Sequence, residues 1–304
     1  MPESNLRSIF SAWWPLAASW LFMGTELPMI SAVMARLPDP KIHLAAYGGV
    51  VFPIALIIEA PIIMLLSTST ALSKDFASYQ KIYRFMMWAG GILTLIHFLL
   101  AFTPLYYPLV EGLMQVPDEI VEPSRIGLMI MLPWTWTIAY RRFNQGVLIR
   151  FGQSKAVGVG TAFRLAANAL ALLVGWQIGG LPGIVVGTSG ISAGVITEAI
   201  YAGLRVRPVL RGPLQQAKLV DPALTWRFFY GFYVPLALTA FINLITQPWG
   251  SAALSRMPLP LESLAVWPVL GGFIFMWRST KQMNTTAWTA LVCGSLTDFI
   301  AMES

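Results

Sequence analysis

Four ionisable side chains lie within apolar stretches of this sequence: Glu26, Glu59, Arg164 and Glu198. A charged side chain at the centre of a bilayer costs roughly 2.5–3.5 kcal/mol on insertion scales, so such residues are usually there for a reason. Two kinds of chemistry are open to them. A carboxyl group in a dry environment can take up and release a proton, and an arginine can neutralise a carboxylate.

Glu26 is the first of these candidates along the chain. It lies two residues before Pro28, which is expected to kink its helix, and about 17 residues after Ile9. This count places it in the outer half of a first membrane span. We therefore predict that Glu26 is an ion-coupling site. The alternative is a carboxyl group that is hydrogen-bonded within the bundle or lies close to the outer interface.

The other three candidates are expected at one depth, toward the inner side. Glu59 lies two residues before a second kinking proline, Pro61, while Arg164 and Glu198 lie in later spans. The depth predicts an inner polar cluster in which Arg164 pairs with Glu198 or Glu59. Such a cluster either holds three helices together or acts as an inner gate or proton relay.

Three uncharged polar residues are possible substrate contacts: Asn168, Asn243 and His97. Each could equally be a hydrogen-bonded packing residue. The chain has a single cysteine, and it lacks a P-loop and any cysteine–histidine pattern for a metal. We expect no catalytic residue, metal or cofactor, and no enzymatic activity.

The composition places these residues in a membrane. Of 304 residues, 56% are hydrophobic and 11% are charged, whereas soluble domains carry roughly 25% charged residues. The sequence therefore predicts an all-α polytopic membrane bundle of about eight transmembrane helices. The spans are expected over residues 9–34, 43–70, 82–104, 124–141, 155–178, 182–204, 228–253 and 264–280.

Two local patterns predict how parts of the bundle pack. A very short turn around Gly180 joins the fifth and sixth spans, which must form an antiparallel hairpin. Glycines recur about one helical turn apart along both spans, and this spacing favours close approach of helices. They are Gly175, Gly179, Gly183, Gly187, Gly190 and Gly194.

Lysine and arginine set the orientation. With the N-terminus inside, the inner segments hold 15 of these residues and the outer segments hold 4. This bias predicts a cytoplasmic N-terminus. It also explains the net charge of +6 without a nucleic-acid partner. Arg141, Arg142 and Arg150 are interpreted as a short basic amphipathic segment in the cytoplasmic headgroup layer, in contact with membrane lipids.

The chain contains an internal repeat. Shifted by 220 residues, positions 15–45 match positions 235–265 with 11 identities in 31, including four prolines and an arginine. Six predicted spans separate the copies, so both cross the membrane in the same direction, as in transporters with parallel repeats. We predict a six-helix lobe over residues 1–215. Residues 216–304 would be an incomplete second lobe of about two helices and a short tail, truncated or completed by another chain.

Three stretches resemble a known family: residues 15–36, 44–48 and 140–146. Together with the parallel repeat, they are similar to MatE-type (multidrug and toxic compound extrusion) members of the multidrug/oligosaccharidyl-lipid/polysaccharide exporter superfamily, including progressive-ankylosis-like bacterial relatives. The resemblance implies twelve helices in two six-helix lobes around a central cleft, of which this chain is C-terminally short. It also implies a coupling acid near the proline of the first helix, which matches Glu26, and a bacterial inner membrane location.

Three functions remain open at this point. The first is export of a small organic substrate, coupled to H⁺ or Na⁺, by alternating access between two lobes. The second is a flippase for lipid-linked saccharides, which would need a basic cleft. The third is a truncated fragment that does not transport and needs a partner chain.

Overall fold

The computed structural model describes residues 22–275 and 277, and all regular structure within them is helical. The predicted all-α polytopic bundle is confirmed. The helices are α1 Phe22–Met34, α2 Pro40–Ala46, α3 Phe52–Ile63, α4 Leu65–Leu72, α5 Phe76–Phe102, α6 Asp118–Ile130, α7 Leu132–Arg150, α8 Ser154–Ile178, α9 Gly183–Arg211, α10 Pro213–Gln216, α11 Trp226–Leu244, α12 Thr246–Leu254 and α13 Pro260–Phe275. Two π-helical segments, Tyr47–Val51 and Pro108–Leu113, complete the set.

Five helical stretches are long and apolar enough to cross a bilayer: Pro40–Leu72, Phe76–Phe102, Ser154–Ile178, Gly183–Gln216 and Trp226–Leu254. Helix α5 has a continuous exposed apolar face that runs from Trp88 through Leu95 to Phe102. A large apolar face that is open on the outside of a bundle fits lipid rather than water. The chain is therefore a helical membrane protein.

The remaining three predicted spans differ from those stretches. The first and last correspond to the shorter helices α1 and α13, and their predicted ends at 9–21 and 278–280 lie outside the described residues. In place of the fourth span, predicted over 124–141, the structure has two helices, α6 and α7, which together are longer than the predicted span. Helices α6 and α7 meet at Met131, and Pro133 lies at the start of α7. Proline lacks an N–H group and disfavours helical geometry in the residue before it, so the break falls there.

Helix α7 is the centre of the bundle, because it packs against α4, α5, α9 and α3. Its buried side chains include Phe143, which contacts the rings of Tyr79 and Tyr83 on α5. Helices α8 and α9 form the predicted antiparallel hairpin, and their turn places Gly179 and Gly180 at positive φ.

The glycines of α9 allow the hairpin to close tightly. A Cβ atom on Gly194 would lie 2.9 Å from the Arg164 carbonyl oxygen, and one on Gly190 would lie 2.8 Å from Oδ1 of Asn168. Both distances are shorter than real Cβ contacts, so only glycine fits without a shift. The close approach sets the depth at which side chains of α8 meet α9.

The two copies of the repeat have the same local structure around the turn between their helices. Residues 31–40 and 251–260 each pass from a helix end through a turn into a helix that starts at Pro40 or Pro260. The residue before each proline has a left-handed backbone, with φ of 49° at Asp39 and 59° at Leu259. This conformation is uncommon outside glycine, and its recurrence 220 residues apart shows that the repeat extends to backbone geometry.

The two copies also pack against each other and run in the same direction. Lys41 Nζ lies 3.1 Å from Glu262 Oε1 near the start of α2 and α13. Further along both segments, a Cβ atom on Gly48 would overlap Cδ of Pro268. These contacts pair residues 221 and 220 positions apart, as parallel neighbours require. The two copies therefore meet side by side at equivalent positions.

We expect Gly48→Ala to separate the two copies. The added methyl group would overlap the Pro268 ring, and overpacking of this kind costs about 1–3 kcal/mol. Thermal unfolding of the purified protein in detergent measures the loss. Gly91→Ala on α5 is the matched control, because no atom lies within 4 Å of its added Cβ. Equal unfolding temperatures for the two variants would contradict the close contact.

A carboxylate outside the membrane-spanning stretches attaches the segment before α11 to the start of α5. Asp75 caps α5 by accepting a hydrogen bond from the Ser78 N–H at 2.7 Å, and its other oxygen accepts from the Val220 N–H at 2.7 Å. Burial raises the pKa of Asp75, but these two backbone hydrogen bonds more than offset it, so the pKa lies below its usual value. The irregular segment 217–225 is thereby attached to the start of α5.

We expect Asp75→Ala to lower the unfolding temperature, with a difference from wild type that depends on pH. A carboxyl group whose pKa is lowered by folding contributes stability that is fully present above its unfolded value of about 3.9. That contribution disappears as the pH falls through the lower folded value. The difference between wild type and variant should be full at pH 7 and shrink in strong acid, whereas the exposed Glu111→Ala should show little difference at either pH.

Candidate functional site

The structure gathers six charged residues in the apolar interior, which we call the ionic network: Glu26, Glu59, Arg141, Arg142, Arg164 and Glu198. They come from α1, α3, α7, α8 and α9, each at a position well inside its helix or span. Three carboxylates face three guanidinium groups, so the formal charges balance. Opposite charges close together lower the cost of burying each of them in a medium of low dielectric constant.

Arg164 forms a bidentate ion pair with the Glu26 carboxylate. Its Nε donates to Oε1 of Glu26 at 2.9 Å, and its Nη2 donates to Oε2. Asn168, one turn further along α8, donates from Nδ2 to Oε1 of Glu26 at 3.0 Å. Both oxygens of Glu26 are therefore occupied, and α1 is fixed to α8 by a fork-like ion pair of the strong type.

Glu198 joins α9 to α7 and α8. Its Oε2 accepts from Arg141 Nη1 and lies 3.6 Å from Arg164 Nη1. Its Oε1 accepts from Gln145 Nε2 at 2.8 Å and from Thr161 Oγ1 at 3.3 Å. Arg141 and Gln145 are one turn apart on α7 and so share a face. Glu198 is fully buried, and its charge is satisfied by four donors or cations.

Glu59 is bound in a different way. Its Oε2 accepts a hydrogen bond from the indole N–H of Trp134 at 2.8 Å, and the described part of the chain gives it no ion pair. The ring of Trp134 lies under the guanidinium group of Arg164, 5.6 Å from ring centroid to Cζ. Trp134 therefore connects Glu59 to the rest of the ionic network through a neutral group.

The inner polar cluster predicted from the sequence is thus only partly assembled by direct contacts. Arg164 lies beside Glu198, as expected, while Glu59 reaches it only through Trp134. The separation of Glu26 from this cluster was wrong, because Glu26 binds Arg164 directly. Counting residues from Ile9 could not give the relative depths of α1 and α8, which depend on how the helices tilt and pack.

The three predicted substrate contacts have different surroundings. Asn168 belongs to the site, since it donates to Glu26. His97 is buried between Thr135 Oγ1 at 2.9 Å and the Leu128 carbonyl at 3.0 Å, which satisfies both ring nitrogens. Asn243 is on the exposed surface of α11. Of the two predicted kink positions, Pro28 packs against Gly272 of α13, and the break at Met64 follows Pro61.

The interpretation of residues 141–151 as a surface segment was wrong. Helix α7 continues to Arg150, and the Arg141 side chain is 2% exposed. Arg142 is also largely within the bundle, whereas Arg150 is exposed and donates to the Thr70 carbonyl at 2.9 Å. Two adjacent arginines resemble the end of a span, and the missed signal was Gln145, a second polar residue one turn after Arg141.

Several buried polar atoms around the ionic network have no hydrogen-bond partner among the described residues: Tyr47 Oη, Asn168 Oδ1, Arg141 Nε, Arg142 Nε and Gln145 Oε1. Tyr47 lies in the first π-helical segment and faces Glu26 and Arg164. Buried polar atoms in native proteins nearly always find a partner. These atoms can therefore bind water, an ion or a polar substrate group.

No protein-family model matches this chain, and no curated protein or solved structure is significantly similar to it. Membership of the exporter family expected from the sequence is therefore supported only by the residues that suggested it. Within the described residues, no group of three or more histidine, cysteine, aspartate or glutamate side chains could hold a metal ion.

We expect Arg141→Met to destabilise the protein strongly. Removal of one partner from a buried ion pair leaves the other charge uncompensated, which costs about 3–5 kcal/mol. Thermal unfolding in detergent should show a large loss for Arg141→Met and a partial recovery when Glu198→Gln is added. Arg84→Met is the matched control, because Arg84 is exposed on α5. A loss no larger than that of the control would refute the pairing.

Proposed function

We propose that the chain is a secondary-active transporter that couples H⁺ or Na⁺ to the export of small organic compounds by alternating access. The observation that carries this proposal is the Glu26–Arg164 ion pair, buried beside the contact between the two repeat copies. Two residues after Glu26, Pro28 packs against Gly272 of α13 in the second copy. Parallel-repeat transporters bind substrate between their repeats, so a charged pair at this place is suited to couple binding with movement.

The chemistry of the pair explains why its movement would need an ion. Separation of Arg164 from Glu26 inside the bundle would leave two uncompensated charges. A proton or Na⁺ on Glu26 would replace the charge that Arg164 supplies and lower that cost. Glu26 would then be the ion-coupling acid. Arg164 would remain beside Glu198, which lies 3.6 Å from it in the present arrangement.

We further propose a bacterial inner membrane location with a cytoplasmic N-terminus. Arg141 and Arg142 lie within α7 and therefore no longer count as loop residues. The inner segments then hold 13 lysines and arginines and the outer segments still hold 4. The bias that supports this orientation is retained.

A flippase for lipid-linked saccharides is a second candidate, and one observation favours it. Such a protein needs cationic groups inside the membrane to bind a pyrophosphate, and only Arg164 was expected there. The interior holds Arg141 and Arg142 as well, and Nε of each has no partner among the described residues. Three carboxylates offset these charges, so the interior as a whole is not basic. Export of small organic compounds remains the preferred function.

Reconstituted liposomes would test the proposal. The full chain would be inserted into liposomes that contain a pH-sensitive dye, and ethidium and calcein would serve as cationic and anionic probes. We expect a pH or sodium gradient to drive one probe across the membrane in wild type. Glu26→Gln should lose that gradient dependence, because its amide cannot carry the coupling charge, whereas the exposed Glu111→Gln should retain it.

Two results would count against this function. If neither probe moves under either gradient, export of small organic compounds is rejected. If instead a fluorescent prenyl pyrophosphate crosses between leaflets in the same liposomes, the flippase takes its place. Full gradient dependence in Glu26→Gln would remove Glu26 as the coupling acid.

A further inference from the structure

We infer that Glu59 takes up and releases a coupling proton alongside the Glu26 site, so that the coupling ion is H⁺. This inference rests on the proposed transport function and deepens it, since that function leaves H⁺ and Na⁺ open. It also adds a second acid, in α3, to the Glu26 site in α1.

The three acids of the ionic network differ in what protonation would break. A proton on Glu26 must displace a two-armed arginine and Asn168. A proton on Glu198 must displace Arg141, with Gln145 and Thr161 on the other oxygen. A proton on Glu59 displaces no cation, because its bond is to the neutral indole of Trp134. Glu59 is thus the acid that can be neutral without loss of an ion pair.

The groups that face Glu59 also allow its charged form. Arg141 and Arg142 on α7 and Arg164 on α8 all exert a favourable field on the carboxylate. From the other elements packed against α3, the Tyr233 hydroxyl of α11 donates to the Pro61 carbonyl, two residues after Glu59. Tyr47, in the π-helical segment twelve residues before Glu59, faces Glu26 and Arg164 instead. On α5, His97 is occupied by Thr135 and Leu128, and α12 carries no charged side chain.

These surroundings make both forms of Glu59 accessible. Burial with a single neutral hydrogen bond favours the protonated form, and the three arginines keep the deprotonated form within reach. A group that must load and unload a proton needs this balance. Glu198, paired with Arg141, lacks it in this arrangement, and Glu26 gains it only when Arg164 moves away.

The same geometry disfavours Na⁺ at Glu59. Hard cations bind through several oxygen ligands at once. The indole N–H of Trp134 points its hydrogen at Oε2 from 2.8 Å, where a cation would meet a positive partial charge. A proton needs only one lone pair, and the second carboxyl oxygen of Glu59 provides it.

The position of Glu59 links a proton to the second copy of the repeat. Two residues after Glu59, the Pro61 carbonyl accepts a hydrogen bond from the Tyr233 hydroxyl of α11. Helix α11 belongs to the second copy and packs extensively on α3. In the proposed step, an O–H bond forms on the Glu59 carboxylate with a proton from water on one side. That bond later breaks, and the proton passes to water on the other side.

Infrared difference spectroscopy on the full chain in lipid would test the assignment. Acidification should produce a protonated-carboxyl band from a buried site in wild type. The band should be absent in Glu59→Gln, which keeps the size of the side chain and an oxygen to accept from Trp134. It should persist in Glu26→Gln and in the exposed Glu111→Gln. In liposomes, the probe flux driven by a pH gradient should be at least tenfold lower for Glu59→Gln than for wild type.

The outcomes separate this inference from the proposed function. A band that persists in Glu59→Gln, or no such band in wild type at any pH where the fold survives, overturns the proton assignment. Probe flux driven by sodium alone also overturns it, while transport itself stands. A band that depends on Glu59 without any probe flux supports the proton site and rejects export. Glu59→Asp should keep a carboxyl band at a shifted frequency, which excludes a loss caused by misfolding.

Discussion

The balance of charge in a medium of low dielectric constant is the constraint on which this fold depends. Three acids and three arginines lie in the interior, and two of the acids are paired directly. Arg164 occupies the middle of this arrangement, with Glu26 on one side and Glu198 on the other. A neutralised group of this size fixes the relative positions of α1, α7, α8 and α9, because displacement of any one helix would expose a charge to hydrocarbon.

Small residues determine whether those charges can meet. Gly194 lies one turn before Glu198 on α9, and the Arg164 backbone packs directly against it. Without that close approach, Arg164 would lie too far from α9 for its guanidinium group to reach both Glu26 and Glu198. Helix packing and electrostatics therefore depend on each other here. The glycines permit the contact, and the ion pairs hold it.

The sequence was sufficient to predict the class of fold and five of the eight spans, because these five are long, continuous hydrophobic stretches. The repeat was also detectable, since matched prolines such as Pro40 and Pro260 mark the same backbone turn. Among the partners of the buried charges, the sequence indicated the approach of Arg164 to Glu198 but not the other pairs. Depth along a span is a one-dimensional count, and it separated Glu26 from Arg164, whereas the pairing depends on which helix faces meet. Arg141 was missed because adjacent arginines are the usual sign of a cytoplasmic loop.

The contact between Gly48 and Pro268 has a further consequence for how the two halves relate. These residues occupy the same place in the two copies and touch each other across the local two-fold relation. A homodimer would have to place one residue type on both sides of such an axis. Two prolines would collide there, and two glycines would leave a gap. Because the two copies lie in one polypeptide, that restriction does not apply. Each copy can have its own residue type at this position, and the contact surface between the copies can be asymmetric.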